Sequence, residues 1–453
     1  MMEPSSEKGS VRLPVRAKAG SITPRRLLAV AVLFLVTVGF MHKSFGQCYH
    51  RLREHICGPL SVEERAERVL KTTPLIDGHV DMPLLFRYFY HNQIDNDDVK
   101  QAFENGTFPG HIDIKRLREG ISGGSFWSLY APCPEHGDDF SDENLAASVQ
   151  FTLDQIDVMT RLQEIYPDDF SPAKGLYASN ALDAWKKGQF ISPLGIEGLH
   201  QIGNKAANLR RFYDLGVRYA TLTHNCHNKY ADAALLESPF RKAEPLHHGV
   251  SPEGRSLIHE MNRIGMIVDI SHVSDDTMID VLGGNDSWEG SKAPVIYSHS
   301  SAYAICPHPR NVKDHILQMV KGTNSVVMVN ISPDFISCKD TGADNGVPEF
   351  APEDSTLDRV VDHITYIGDL IGYAHVGIGT DFDGISSTPE GLEDASKYRV
   401  LVAELLRRGV SEEDAGKVVG GNVLRVWTAV DAVAAKLQTE GAPVLEDRVE
   451  LKF

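Results

Sequence analysis

Eight short apolar runs recur along the chain with helical patterns between them, and this alternation restricts the fold more than any other feature. The runs occupy 74–80 (PLIDGHV), 124–133 (GSFWSLYAPC), 192–198 (SPLGIEG), 218–225 (RYATLTHN), 266–272 (MIVDISH), 294–300 (PVIYSHS), 325–332 (SVVMVNIS) and 375–384 (HVGIGTDFDG). Most are apolar throughout, as strands buried on both faces must be. Helical patterns fill 145–165, 208–216, 253–265 and 357–372. Eight strands with helical crossovers predict an α/β fold, a (β/α)8 TIM-type barrel, which closes so that no parallel edge is left exposed. A doubly wound open sheet is the alternative, but no GxGxxG follows the first strand. Two further helical segments, 392–409 and 411–437, come after the eighth run. The barrel domain is therefore expected over 60–437, with 438–453 as a C-terminal tail. The segments 85–122 and 226–250 read as long loops at the C-terminal face of the strands, where they can shape a pocket.

The chain of 453 residues carries a formal charge of −17, which argues against nucleic acid as a partner. That charge is unevenly placed. Residues 1–26 hold six basic side chains (Lys8, Arg12, Arg16, Lys18, Arg25, Arg26) and two acidic ones (Glu3, Glu7), a net +4 that leaves −21 on the remainder. An uncharged run, 27–41 (LLAVAVLFLVTVGFM), follows. Fifteen helical residues rise about 22 Å, short of a ~30 Å hydrocarbon core and of a length that also suits a cleaved signal peptide. The long basic leader and the Arg25-Arg26 pair abutting the run instead favour a transmembrane signal anchor. The expected order is a basic cytosolic tail (1–26), the anchor (27–41), a stem (42–59) and an extracytosolic barrel. Cleavage of the anchor would make the protein secreted. Six cysteines (Cys48, Cys57, Cys133, Cys226, Cys306, Cys338) all lie beyond the run without a CxxC pair, which favours disulfides over structural zinc. Sequons at Asn105, Asn285 and Asn330 are expected glycosylation sites, although Asn330 ends the apolar run VVMVN and is a poor surface candidate.

Barrel enzymes place their chemistry where strands end, so polar residues closing apolar runs are informative. His79 and Asp81 stand two apart and point the same way in an extended strand. Other strand ends supply Glu197, His224, His272, His299 and Asp381. Singly, each reads as a hydrogen-bonded histidine or a helix-capping aspartate. Together they suit a binuclear metal site, with His79, Asp81 and Glu197 on one ion and Glu197, His272 and His299 on the other. Mixed nitrogen and oxygen ligands favour zinc, with manganese or cobalt as alternatives. No HExxH occurs. A nucleophilic serine within Ser298-His299-Ser300-Ser301 would need a base that the sequence does not supply.

The stretches IDGHVDMP, GIEGLH, LTHNC, DISHVS, APVIYSHSSAYAICPHPRNVKD, GIGTDFDG, EGLEDASKY and GNVLRVW, in that order, resemble the membrane (renal) dipeptidase family of zinc dipeptidases, within the metal-dependent hydrolases of barrel fold. The resemblance covers about residues 60–430. It implies that His79 and Asp81 ligate a first zinc, Glu197 bridges, and His272 and His299 ligate a second. It further implies that His224 lies near the substrate carbonyl and that Arg310 holds the terminal carboxylate of a dipeptide. Asp381 then shuttles a proton from a metal-bridged hydroxide to the leaving amine. Pairing of Cys133 with Cys226 and of Cys306 with Cys338 follows from the same resemblance, as does a homodimer; Cys48 and Cys57 fall outside it.

The chain ends DRVELKF, without the hydrophobic tail that mammalian members exchange for a lipid anchor, so membrane attachment is expected through 27–41. Tyr230 stands where the family usually has tryptophan, and the divergent 226–250 segment leaves side-chain preference open. The expected activity is hydrolysis of a broad range of dipeptides with two zinc ions per chain. The alternatives are a biosynthetic relative cleaving cysteinyl-glycine conjugates and a non-catalytic, membrane-tethered binding ectodomain.

Overall fold

The computed structural model describes residues 59–285 and 287–448. The anchor at 27–41, its basic leader, Cys48 and Cys57 lie outside the described residues. The chain divides into Met1–Leu60 and Ser61–Phe453, and the second unit is the barrel.

All eight predicted strands are present: β1 (Leu75–Val80), β2 (Ser122–Ser128), β3 (Leu194–Glu197), β4 (Val217–Thr221), β5 (Ile267–Asp269), β6 (Ile296–Tyr297), β7 (Val326–Val329) and β8 (Val376–Ile378). They pair in parallel, each with its neighbour in sequence. A parallel bridge between Val80 and Phe382 closes the ring, with the Asp381 amide donating to the His79 carbonyl at 3.0 Å and the Asp81 amide to the Phe382 carbonyl at 2.9 Å.

Successive strand residues alternate between two apolar clusters. Leu75, Trp127, Ala220, Val268 and Val327 belong to one, with the surrounding helices. Ile76, Phe126, Tyr219, Ile267 and Met328 belong to the other, together with Val423, Val426, Trp427 and Val430 of the last helix, Asn422–Thr439. Burial on both faces is why the strands read as continuous apolar runs. The helical run Glu412–Thr439 is long and apolar enough to cross a membrane, yet these residues spend its apolar side on the barrel core. Its turn at Lys417–Gly421 is a π-helix, where Gly420 passes so close to the Pro74 carbonyl that a Cβ would lie 2.1 Å from it.

The helices start where capping residues dictate. Ser141, Ser251 and Thr356 accept amides of the first turns of Asp142–Ile165, Pro252–Ile264 and Leu357–Ile371. The 85–122 segment departs from its reading as a loop. Met82–Tyr90, Asp97–Asn105 and Ile114–Glu119 are helices, the last two capped by Asn96 and Asp113. Within 226–250 an antiparallel hairpin pairs Leu235–Glu237 with Phe240–Lys242. The last helix runs to Thr439, two residues past the expected boundary, and the following segment is tied down: the Asp447 carboxylate accepts the amides of Ala206 and Ala207, and Arg210 donates to the Leu445 carbonyl.

Cys133 is bonded to Cys226 and Cys306 to Cys338, as the resemblance implied. With sequence separations of 93 and 32, the bridges remove chain entropy worth about 4–5 and 3–4 kcal/mol from the unfolded state.

Trp427 is fully buried, its ring 5.5 Å from that of Phe126. Trp427→Ala is expected to lower the unfolding free energy by about 3–5 kcal/mol in urea titration; a loss below 1 kcal/mol would show that this helix does not support the barrel core.

Candidate metal centre

Two buried carboxylates shape the C-terminal face of the barrel, and neither stands out in the sequence as a site residue. Asp77 Oδ1 accepts the amides of His79 (3.1 Å) and Thr380 (2.9 Å), while its Oδ2 accepts the hydroxyls of Thr380 and Tyr398, both at 2.6 Å. Asp269 repeats the pattern on the opposite side of the ring: Oδ1 accepts the amides of Ser271 (3.1 Å) and Ser298 (2.8 Å), and Oδ2 the hydroxyls of Thr221 (2.5 Å) and Ser298 (2.6 Å). Each carboxylate takes amides that a strand ladder would otherwise occupy. The backbone is then free to leave strand geometry, and His272, Asp381 and Asp383 sit at φ +65°, +65° and +69°. For L-residues that conformation is strained and is held by its surroundings.

The side chains released this way converge. His79 Nε2 lies 3.2 Å from Asp81 Oδ2, 3.5 Å from Glu197 Oε1 and 3.9 Å from Asp381 Oδ1. Glu197 Oε1 is also 2.9 Å from His272 Nε2 and 3.5 Å from His299 Nε2, and those two nitrogens are 2.9 Å apart. The outward nitrogens are each occupied: His79 Nδ1 by the Tyr219 hydroxyl (2.7 Å), His272 Nδ1 by Asn225 Oδ1 (3.0 Å) and His299 Nδ1 by Ser298 Oγ (2.8 Å). All three imidazoles thus turn Nε2 inward, as metal-ligating histidines with outer hydrogen-bond partners do.

The electrostatics demand a cation. Asp81, Glu197 and Asp381 are buried together, and Arg310 is the guanidinium facing them. Burial alone would depress the His79 imidazole, but the carboxylates of Glu197 and Asp81 outweigh it and raise it to about 10. Burial drives Glu197 well above the carboxylate range. Asp81 Oδ1 is buried with no hydrogen-bond partner. Divalent metal satisfies these observations together, and the mixed imidazole and carboxylate donors suit it. The donor atoms of His79, Asp81 and Asp381, of His79, Glu197 and His299, and of Glu197, His224 and His272 lie within 4.8 Å of one another in each set.

His224 borders this group, its ring 4.5 Å from that of His272 and edge-on to Tyr130. Its Nδ1 lies 3.3 Å from Glu237 Oε1. Glu237 comes from the hairpin, and no feature of the polar 226–250 segment marks it. Arg310 is buried over the Phe335 ring with its Nε and Nη2 unpartnered. Asp381, raised by burial to about 6, receives the Asn330 side-chain amide at 3.1 Å on Oδ2. Asn330 is fully buried there, which corrects its expectation as a glycan acceptor: an apolar strand end, not a surface loop, carries that sequon. Asn105 is exposed and Asn285 half-buried.

The model of the membrane dipeptidase family, peptidase family M19, matches residues 63–441. Dipeptidase tcpJ of Claviceps purpurea is 44% identical over 373 residues, 82% of this chain and 80% of the relative. Dipeptidase aclJ of Aspergillus oryzae is 44% identical over 387 residues, 85% of each chain. Among solved structures, a metallo peptidase from Rhodobacter sphaeroides, bound to a phosphinate mimic of the dipeptide L-Ala-D-Ala, superposes with a TM-score of 0.64 over 79% of this chain and 99% of its own, at 22% identity. At that identity the likeness is one of fold.

Asp77→Ala would leave two buried amides and two buried hydroxyls without their acceptor. It is expected to cost about 3 kcal/mol or more of stability in urea unfolding; an unchanged midpoint would show that water or neighbouring groups replace the carboxylate.

Proposed function

This chain belongs to the membrane dipeptidase family and is a peptide-bond hydrolase, and on that premise we propose that it is a two-zinc dipeptidase acting on a broad range of dipeptides. The convergence of three imidazole nitrogens, those of His79, His272 and His299, on Glu197 Oε1 carries the reading. His79, Asp81 and Glu197 would hold one ion, and Glu197, His272 and His299 the other. When bound, the metals supply Lewis acidity that lowers the pKa of water toward ~7 and polarises the scissile carbonyl.

The chain's own residues supply the rest. Arg310 offers Nε and Nη2, adjacent donors on one edge of the guanidinium, both buried and both free of protein partners. That fork matches a carboxylate and would hold the C-terminal group of a dipeptide bidentately. His224 faces the carbonyl that this anchoring positions. Asp381 has its Oδ2 fixed by Asn330, and its Oδ1 turns toward His79. With its carboxyl at about 6, it is poised near neutrality to take a proton from the attacking water and to return it to the leaving amine.

A second reading, cleavage of cysteinyl-glycine conjugates, draws on a cavity of about 570 Å³ beside the Glu237 end of the site, lined by Cys133, His136, Phe140, Arg241 and Leu246 among others, with room for a bulky substituent. Family membership sets aside the non-catalytic ectodomain. The run 27–41 is proposed to anchor the enzyme with its barrel outside the cytosol, and the two disulfides favour that oxidising side. Association as a homodimer is proposed from the resemblance.

Full-length protein purified without chelator is expected to contain close to two zinc ions per chain and to hydrolyse members of a dipeptide panel. Metal-replete protein inactive on every dipeptide and conjugate would overturn the reading. Asp381→Asn is expected to retain metal while kcat falls at least about 100-fold; persistent turnover would remove Asp381 from proton transfer.

A further inference from the structure

Ser298 is the residue of the SHSS motif that a serine-nucleophile reading would single out. It is fully buried, and its oxygen is committed on both sides: Oγ lies 2.6 Å from Asp269 Oδ2 and 2.8 Å from His299 Nδ1. A hydroxyl has one proton to give, and Asp269, which already takes two amides on Oδ1 and the Thr221 hydroxyl on Oδ2, is placed as an acceptor. The Ser298 proton therefore goes to Asp269. Ser298 Oγ is left as an acceptor, and what it accepts is the Nδ1 proton of His299. A neutral imidazole carries one proton, so Nε2 of His299 must present its lone pair, and that nitrogen faces Glu197 Oε1 and His272 Nε2.

We propose that Asp269 and Ser298 are positioning residues that fix His299 as its Nδ1–H tautomer and thereby set the metal affinity of the position it shares with His272. The proposal rests on the reading of His299 as a ligand. The other two imidazoles are held differently. The hydroxyl of Tyr219, which also bonds Ser298, stands between that serine and His79, and Asn225 Oδ1 touches His272 directly. Asp269 also braces the backbone around both ligands, because it accepts the Ser271 amide while Ser271 Oγ accepts the amide of His299 at 3.0 Å.

The direction of the chain gives a test that structural damage does not imitate. In Asp269→Asn the side-chain carbonyl must stay toward the Ser271 and Ser298 amides, which donate to the Oδ1 position. The amide nitrogen then faces Ser298 Oγ and donates to it. The Ser298 proton is turned onto His299 Nδ1, which forces the proton to Nε2 and blocks ligation. Zinc titration of the demetallated full-length protein against a chromophoric chelator is expected to show one ion weakened about 100-fold in Asp269→Asn and about 10-fold in Ser298→Ala, the other ion binding as in the wild type. Adding Ser298→Ala to Asp269→Asn removes the reversed hydroxyl and is expected to bring affinity back to that of Ser298→Ala alone. Ser300→Ala, a neighbouring buried hydroxyl, is expected to change nothing. Wild-type affinity in Ser298→Ala, equal weakening of both ions, or a double variant no tighter than Asp269→Asn would overturn the proposal. If Asp269→Asn does not fold, Ser298→Ala with Ser300→Ala decides it. Wild-type protein that binds no zinc would instead sink the functional reading on which the proposal rests.

Discussion

A buried carboxylate accepting two backbone amides and two hydroxyls is the interaction on which the reactive face depends. Asp77 and Asp269 each occupy that position, on the first and fifth strands. A parallel barrel is a poor place to gather inward-pointing polar groups, because its ladder fixes every backbone direction and its interior is dry. Replacing ladder partners with side-chain oxygens ends the ladder early without leaving amides unpaired. The cost is two buried carboxylates, which four donors each can offset. The gain is a set of strand ends that bend, some through left-handed backbone, and bring histidines and acids from several strands to one point.

The strands were legible because burial on both faces keeps most of their residues apolar, and the long helices because Ser141, Ser251 and Thr356 mark their starts. The cluster at the strand ends was legible for the complementary reason: a histidine or acid closing an apolar strand needs a partner. Strand extents were not legible, since Asp269 ends β5 by hydrogen bonds to side chains and amides far away in sequence. The short helices of 85–122 were missed because Asn, Asp, Gly and Pro residues break that segment into pieces, although two of them are as long as the pattern read at 208–216. Glu237 reaches His224 through a hairpin whose register no local pattern announces. Asn330 carries a three-letter sequon, but the apolar run it ends already spoke against a surface site; only its place beside Asp381 depends on the closed ring.

Outer partners differ among the three inward-turned histidines in a way that ligand counting alone would overlook. A tyrosine hydroxyl, an asparagine carbonyl and a serine backed by a carboxylate stand behind His79, His272 and His299. Behind His299 the serine is itself hydrogen-bonded to the Asp269 carboxylate. Whatever metal the site holds meets three imidazoles of unequal donor strength, and the asymmetry is written in residues on strands β4 and β5 and the loops after β4 and β6.

The segment after Thr439 lends the barrel a second kind of closure. Asp447 receives the first amides of the helix Ala206–Leu215, and Glu260, on the helix Pro252–Ile264, accepts the Leu445 amide. The far end of the chain is therefore laced to helices from the middle of the sequence, across a ring whose strands already join end to start. The segment before Arg448, mostly exposed itself, is thus a tether between two outer helices and not part of the buried core.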